Sequence, residues 1–184
     1  MNRERGEGIV ALLAFGATIP LANWMIGSIG LVCVPQGPCL IPVAPGIMAP
    51  SGVLLIGLAL VLRDLVQRRL GATWSLGAIA AGTLLSALVA PPALVFASAS
   101  AFLLSELADF AVYTPLQRRR LVLAVLASGA VGLVVDSVVF LWLAFGSLDY
   151  LAGQVIGKAW MIVASLPAIR WLRARDERLG LVPA

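Results

Sequence analysis

Long apolar segments alternate with short polar ones along the whole chain. A membrane-spanning helix needs about 20 mostly apolar residues, and six segments approach or reach that length. Short links between them would make consecutive helices antiparallel neighbours. The pattern predicts an all-α polytopic membrane protein, a six-transmembrane-helix bundle that forms one integral membrane domain over residues 1–184. The expected spans are 8–29, 50–66, 73–90, 93–115, 121–146 and 150–171.

The second segment is the least regular of the six. Its uncharged part, 51–62, is too short to cross a bilayer alone, and the stretch before it, 34–50, is apolar but rich in proline. Proline blocks a regular helix, and irregular backbone at membrane depth is tolerated only where it is buried in protein or lines a cavity. We therefore interpret 34–50 as an irregular loop folded into the outer mouth of the bundle, with a plain surface loop as the alternative. Its prolines are Pro35, Pro38, Pro42, Pro45 and Pro50.

The arginines lie in four short patches at alternate ends of the predicted helices, and the links at the other ends contain no Lys or Arg. Short loops rich in Lys and Arg stay cytoplasmic. The pattern therefore predicts an even number of spans with both termini cytoplasmic. The patches are Arg3/Arg5, Arg63/Arg68/Arg69, Arg118/Arg119/Arg120 and Arg170/Arg173/Arg175/Arg178.

Composition supports a membrane protein and excludes several other classes. Hydrophobic residues make up 61% of the chain and charged residues 12%, against roughly 45–50% and 25% in a soluble domain. The net charge of +4 is explained by topology and by attraction to the anionic headgroups of the lipid bilayer, so we expect no nucleic-acid partner. The chain has no histidine, which excludes histidine-based zinc sites and Ser–His or Cys–His catalysis.

The remaining composition points away from an enzyme. No Gly-rich phosphate loop of the Walker type is present, so any use of ATP would come from a partner. The hypothesis of an intramembrane enzyme is supported only by a set of carboxylates, because no nucleophile–base pair accompanies them. We expect no catalytic residues, no metal and no cofactor. Cys33 and Cys39 both fall in the first outer loop, either as a disulfide suited to an oxidising exterior or as two small side chains packed under the loop.

Several polar residues fall inside the predicted spans, where Asn23, Asp136, Gln154 and Lys158 occupy similar depth and Glu106 lies below them. At 1.5 Å per residue, Glu106 lies about 20 Å and Asp109 about 24 Å below the outer surface on helix four. On helix five, Asp136 lies about 22 Å above the inner surface. On helix six, Gln154 and Lys158 share a face at about 6 and 12 Å depth. Asn23 belongs to the outer half of helix one.

These residues can be interpreted in two ways. Lys158 is the only lysine, and an ionisable group inside a membrane segment is a functional-site hypothesis by default. The set then predicts a polar pocket open to the outside, with Trp24 and Trp160 as stacking faces or as interfacial anchors. In the alternative, Lys158 and Asp136 form a structural ion pair, and the amides are interhelical hydrogen-bonding groups.

Arg63 and Asp64 lie near the inner end of helix two. Arg63 is the deepest arginine and is expected to pair with Asp109 on helix four, which lies at similar depth. Such a pair could serve as a structural clamp or as an inner gate, and both interpretations stay open at this point.

Four stretches together resemble a known family: 49–67, 97–113, 128–140 and 154–158. Their specific elements are Ser-Glu-x-x-Asp, which begins at Ser105, and Asp-Ser-x-x-Phe, which begins at Asp136. The chain resembles the queuosine precursor transporters of the vitamin-uptake-transporter-like (VUT) family. The resemblance covers most of the chain and implies a six-helix bundle similar in plan to the substrate-binding subunits of energy-coupling-factor transporters.

The implied activity is uptake of a 7-deazaguanine base, such as 7-cyano-7-deazaguanine or its aminomethyl form, across the bacterial cytoplasmic (inner) membrane. A carboxylate can accept two N–H groups of a guanine-like edge, with Glu106 as first choice and Asp136 as second, while Lys158 or Gln154 donates to the carbonyl. The alternative is a binding subunit for a vitamin or other metabolite that needs a separate ATPase module. A homo-oligomer also stays open. The family's motif positions here are Arg63, Asp64, Glu106, Asp109, Asp136, Gln154 and Lys158.

Overall fold

Six α-helices and a small sheet make up the fold. The computed structural model describes residues 3–34 and 38–181. A short 3₁₀ turn, Pro92–Leu94, precedes α4. The helices are α1 (Arg3–Ser28), α2 (Val53–Leu70), α3 (Ala72–Val89), α4 (Val95–Leu116), α5 (Leu121–Phe145) and α6 (Leu151–Leu179), and the strands are β1 (Val32–Cys33), β2 (Cys39–Ala44) and β3 (Ile47–Pro50). Within the described residues, five helices, all except α2, are long and apolar enough to cross a membrane.

The outer surface of this bundle is strongly apolar. Large hydrophobic side chains are exposed on α1, α3, α4, α5 and α6, and all five tryptophans are at least half exposed. Exposed apolar area on this scale marks an interaction surface, and on apolar helices of this length the natural partner is lipid. The predicted helical membrane protein is confirmed at this level.

Helix α2 lies at the centre of the bundle and packs against each of the other five helices. Arg63, Asp64, Arg68 and Arg69 are all buried along it. A charge in contact with hydrocarbon is costly, so a helix with this sequence must be enclosed by protein that supplies partners. This position explains why α2 lacks the apolar length of the other helices.

Glycines allow α6 to approach its neighbours closely. A Cβ on Gly57 of α2 would overlap the backbone carbonyl of Lys158, and a Cβ on Gly153 would overlap the carbonyl of Met48. Small residues at such contacts are typical of tightly packed membrane helices. The contacts fix the depth of α6 relative to α2 and to the sheet.

Residues 38–50 are not irregular, so the sequence prediction for 34–50 is wrong over this described part. They supply β2 and β3, which form a three-stranded antiparallel sheet with β1 in the order β1-β2-β3. β2 and β3 are joined by a tight turn at Pro45–Gly46, where Gly46 has a φ of +73°. Proline followed by glycine suits a turn that requires a positive φ at its second central position. The sheet tolerates Pro42 beside a register irregularity in the β2–β3 pairing.

The sheet does fold against the bundle, as expected. Val43 and Ala49 are buried with Val53 of α2 in a small core. A disulfide between Cys33 and Cys39 joins β1 to β2, which decides between the two interpretations of the cysteines. Pro35 lies outside the described residues.

Ion pairs tie three helices together at the opposite end from the sheet. Asp176 of α6 accepts hydrogen bonds from Arg68 Nη2 at 2.7 Å and from Arg69 Nη2 at 2.8 Å. Glu7 of α1 accepts from both terminal nitrogens of Arg175 at 2.7 and 2.6 Å. The start of α1 and the final turns of α2 and α6 therefore lie together. We call this the arginine end and the opposite end the sheet end.

Candidate functional site

A cavity of about 620 Å³ lies between the helices and reaches the sheet end. Small-molecule sites usually measure about 300–1,000 Å³, so the cavity suits a small metabolite. At the sheet end, the cavity is surrounded by residues from the last turns of α1 and α5, from the start of the sheet and from the α3–α4 and α5–α6 links. They are Ile26, Gly27, Pro38, Leu40, Pro91, Phe145 and Tyr150.

Four of the predicted site residues line this cavity together: Asn23, Glu106, Asp136 and Gln154. They come from α1, α4, α5 and α6, so the site depends on the packing of four helices. Asn23 Nδ2 donates to the carbonyl of Ile19 at 3.0 Å. Helical depth counted from the sequence placed Asn23, Asp136 and Gln154 at similar depth with Glu106 below them, and the structure shows that all four face one space.

Lys158 does not line the cavity. Its side chain is fully buried behind the wall, where Nζ donates to Asp136 Oδ2 at 2.6 Å, to Ser137 Oγ at 2.8 Å and to Gln154 Oε1 at 2.5 Å. The pairing with Asp136 that the sequence suggested is present. An ammonium has three donors, and all three find acceptors here. The geometry therefore lets Lys158 act on a ligand only through Asp136 and Gln154.

Arg63 is the centre of a buried cluster of charged side chains, on the side of the cavity toward the arginine end. Its Nε donates to Glu106 Oε2 at 3.2 Å, its Nη1 donates to Gln67 Oε1 at 2.8 Å, and its Nη2 donates to Asp109 Oδ1. The expected pair of Arg63 with Asp109 is thus formed. Asp109 does not line the cavity, whereas Glu106 belongs to both the cavity and the cluster.

Asp64 completes this cluster. Its Oδ1 lies 2.7 Å from Arg63 Nη2, the nitrogen that also contacts Asp109. Its Oδ2 accepts a hydrogen bond from Ser128 Oγ of α5 at 3.2 Å. The guanidinium also lies over the ring of Tyr113, 5.6 Å from the ring centroid. Three carboxylates of α2 and α4 therefore surround one cation.

Of the two interpretations of Trp24 and Trp160, stacking faces or interfacial anchors, the structure does not support stacking faces in the cavity. Trp24 and Trp160 are 56% and 55% exposed on the outside of the bundle, and Trp160 Nε1 donates to the carbonyl of Val43 at 2.8 Å. Neither tryptophan lines the cavity. The direction of a side chain around the helix axis depends on packing, so similar depth was not enough to place them.

Other aromatic side chains line the cavity instead, and sequence reasoning missed them. Phe102, Phe140 and Tyr150 each precede or follow a polar cavity residue by four positions: Glu106, Asp136 and Gln154, respectively. Residues four apart share a helix face. This repeated spacing of one aromatic and one polar residue was the signal available in the sequence.

Comparison with known proteins finds a similarity to one family. A family model described as "Putative vitamin uptake transporter" matches residues 86–172. No curated protein and no solved structure gives a significant match. The matched stretch runs from the end of α3 into α6 and includes Glu106, Asp136 and Lys158, whereas Asn23 and Arg63 lie outside it. The match covers just under half of the chain, and over this stretch the chain is similar to the putative vitamin uptake transporters, which agrees with the resemblance seen in the sequence and supports a transporter.

Proposed function

We propose that the chain is a multi-pass transporter of the bacterial inner membrane that takes up a 7-deazaguanine base, a queuosine precursor. Its single domain would span residues 1–184 and bind the base in the cavity. The observation that carries the proposal is the convergence of Glu106, Asp136 and Gln154 on one space, each with an aromatic residue one turn away. Planar, polar-edged ligands need this combination.

The carboxylates suit the donor edge of a guanine-like base. That edge carries a ring N–H and an exocyclic amine, and hydrogen bonds to ionised acceptors are the strong ones. Arg63 holds Oε2 of Glu106, so Oε1 is available to a ligand. Lys158 holds Oδ2 of Asp136 in the same way. Each carboxylate is therefore fixed through one oxygen and can accept through the other.

Gln154 suits the carbonyl of the same base. Its Oε1 is bound by Lys158 Nζ, so its amide NH₂ is the end that remains to donate. Among the hydrogen bonds of the described residues, no protein group accepts from that NH₂. Lys158 would thus orient the amide without touching the ligand, and the site would present acceptors on α4 and α5 and a donor on α6.

We also propose that all six helices cross the membrane, with both termini cytoplasmic. The ion pairs of Arg175 with Glu7 and of Arg69 with Asp176 support termini on one side, because they join the start of α1 to the ends of α2 and α6. The links at the sheet end carry no Lys or Arg, which favours the exterior for that end.

Binding and uptake measurements test the proposal together. Purified full-length protein is titrated with 7-cyano-7-deazaguanine, its aminomethyl analogue, guanine and a panel of vitamins, and labelled base is followed into cells that lack energy-coupling ATPase modules. We expect saturable binding of the deazaguanines and uptake by this chain alone. Binding of a vitamin and of no deazaguanine would refute the substrate class. Binding without uptake until an ATPase module is supplied would favour the binding-subunit alternative.

A further inference from the structure

The Arg63 cluster carries more negative groups than its single cation can balance. Asp64, Glu106 and Asp109 all contact Arg63, and their side chains are at most 2% exposed. The nearby cation Lys158 is already paired with Asp136. With every carboxylate ionised, the cluster would hold one positive and three negative charges. Burying uncompensated charge is very costly, and such groups take up a proton instead.

Two carboxylate oxygens in the cluster point to where a proton would bind. Asp109 Oδ2 and Asp64 Oδ1 are buried, and neither accepts a hydrogen bond of good geometry from a described residue, although Asp64 Oδ1 lies 2.7 Å from Arg63 Nη2. Both aspartates contact the same nitrogen, Arg63 Nη2, so their carboxyl groups are immediate neighbours. Two carboxylates that share a site cannot both ionise cheaply, and the usual solution is one shared proton.

We propose that Asp64 and Asp109 hold one exchangeable proton between them and that this proton is the coupling ion for uptake, an inference that rests on the proposed function. The proton sits on one carboxyl oxygen and is donated to a carboxylate oxygen of the other residue. It enters from water in the cavity by way of Glu106 and leaves toward the arginine end. No bond other than O–H forms or breaks.

A proton fits this site better than a metal ion. Arg63 Nη2 already lies between the two aspartates, so a metal cation placed there would face a fixed positive charge. A proton needs no additional space and binds to one oxygen. Other groups at the site include Tyr113 on α4, whose hydroxyl is also buried without a partner among the described residues, Ser128 on α5, which donates to Asp64, and Gln67 on α2, which accepts from Arg63.

Glu106 would couple the proton to the substrate. When the aspartates are both ionised, they compete with Glu106 for the guanidinium of Arg63. When they share a proton, Arg63 is attracted more strongly to Glu106 and holds it in the cavity wall for the ligand. Proton and substrate then favour each other's binding, and this coupling is reciprocal.

Proteoliposomes that contain the full chain test the coupling. Labelled 7-cyano-7-deazaguanine is offered with the membrane potential clamped at zero and with an inside-alkaline gradient of about one pH unit, a sodium gradient, or no gradient. For one proton per base we expect about tenfold accumulation with the pH gradient, because one pH unit is a tenfold ratio of proton activity. A protonophore should abolish it. Transport driven by sodium alone, or accumulation unaffected by the pH gradient, would overturn the proposal.

Variants then locate the proton. Asp64→Asn should lose accumulation but keep exchange of labelled for unlabelled base, which needs no net proton movement. Asp149→Asn, in the exposed α5–α6 link, is the matched control and should behave as the unmodified chain does. Full gradient-driven accumulation in both Asp64→Asn and Asp109→Asn would overturn the assignment of the site.

A measurement without substrate separates this proposal from the transport proposal. Infrared spectroscopy of the purified unmodified protein near neutral pH should show a carboxylic-acid carbonyl band that shifts in D₂O. The band should persist in Glu106→Gln and disappear in Asp64→Asn or Asp109→Asn. Its absence from the unmodified protein, or its persistence in both aspartate variants, would refute the proton site. Its presence in a protein that moves no deazaguanine would refute only the substrate.

Discussion

At the scale of single residues, the cavity is arranged in two layers. Asn23, Glu106, Asp136 and Gln154 face the space, and the two cations lie behind them: Lys158 holds Asp136 and Gln154, and Arg63 holds Glu106. Groups fixed from behind lose less conformational entropy when they bind a ligand. The cations would therefore act by positioning.

The Lys158 pair gives a sharp prediction about binding. Lys158→Met alone leaves the buried Asp136 without its cation, which should destabilise the protein by about 3–5 kcal/mol. Lys158→Met with Asp136→Leu removes both charges and should restore most of the stability, because a buried ion pair can often be replaced by apolar residues. Thermal unfolding in detergent and a binding titration measure both effects. We expect the double variant to fold and fail to bind; unchanged affinity would show that the pair is structural.

Glu106→Gln tests the acceptor on α4. An amide offers one acceptor oxygen and an NH₂ group where the carboxylate offers two acceptors. Loss of a charge-assisted hydrogen bond costs about 1.5–3 kcal/mol, so affinity should fall by roughly 10- to 150-fold and uptake should become undetectable. Arg63 keeps Asp64 and Asp109 as partners, so the variant should fold. Glu177→Gln, at an exposed i,i+4 pair with Arg173, is the control, and equal uptake by the two variants would remove Glu106 from the site.

At this scale the sequence predicted how deep each polar residue lies along its helix, but not which way its side chain points around the helix axis. The constant rise per residue of a helix placed Asn23, Asp136 and Gln154 at similar depth with Glu106 below them, and these four side chains line one cavity. Lys158 and Asp109 were expected to contact the ligand, and both lie behind the wall. Rotation about a helix axis is fixed by packing partners such as the backbone contact between Gly57 and α6, and depth alone does not reveal those partners.

At the scale of elements, the central helix α2 is the part that makes the site possible. It carries Arg63 and Asp64 and contacts every other helix, and it can do so only where its neighbours approach closely. Gly57 marks a close approach to α6, because the backbone of Lys158 occupies the place of its missing side chain. The position of α6, and with it of Gln154, therefore depends on this glycine.

A pair of glycine substitutions tests that dependence. Gly57→Ala should force α2 and α6 apart and destabilise the fold by about 1–3 kcal/mol, as overpacking does, and it should weaken substrate binding as well. Gly77→Ala, in the middle of α3, meets no atom within 4 Å and should be neutral or stabilising by up to about 1 kcal/mol, because alanine favours a helix. Unfolding temperature and affinity are measured for both. Equal effects of the two substitutions would contradict the role of Gly57.

The sheet shows which element the sequence could have predicted more fully. Proline content suggested irregular backbone, but Pro45 and Gly46 between two apolar runs are a turn signal that favours a hairpin. Strand pairing satisfies the backbone groups of 39–50 without a helix, which the prolines forbid. The disulfide between Cys33 and Cys39 then adds β1. The pairing of the cysteines itself was undecided because either interpretation suited their spacing.

At the scale of the whole molecule, the two ends differ in charge, because the basic side chains are concentrated at the arginine end. The arginine end carries three buried or half-buried arginines held by Glu7 and Asp176, together with the exposed patch Arg118–Arg120 in the α4–α5 link. The sheet end carries Asp149 and no basic residue among its links. Sequence patches predicted this division, while the two carboxylates that hold it together, on α1 and α6, were not singled out.

This division predicts the orientation in the membrane. Basic residues are retained on the cytoplasmic side, so both termini and the α4–α5 link should be inside, with the sheet and the α5–α6 link outside. Alkaline phosphatase is active only outside the cell, and green fluorescent protein fluoresces only inside. Each is fused in turn after residues 119, 147 and 184. Phosphatase activity should appear only at 147 and fluorescence only at 119 and 184. An active phosphatase after 184 would mean that one helix does not cross, and α2, the one helix without a long apolar window, would be the first candidate.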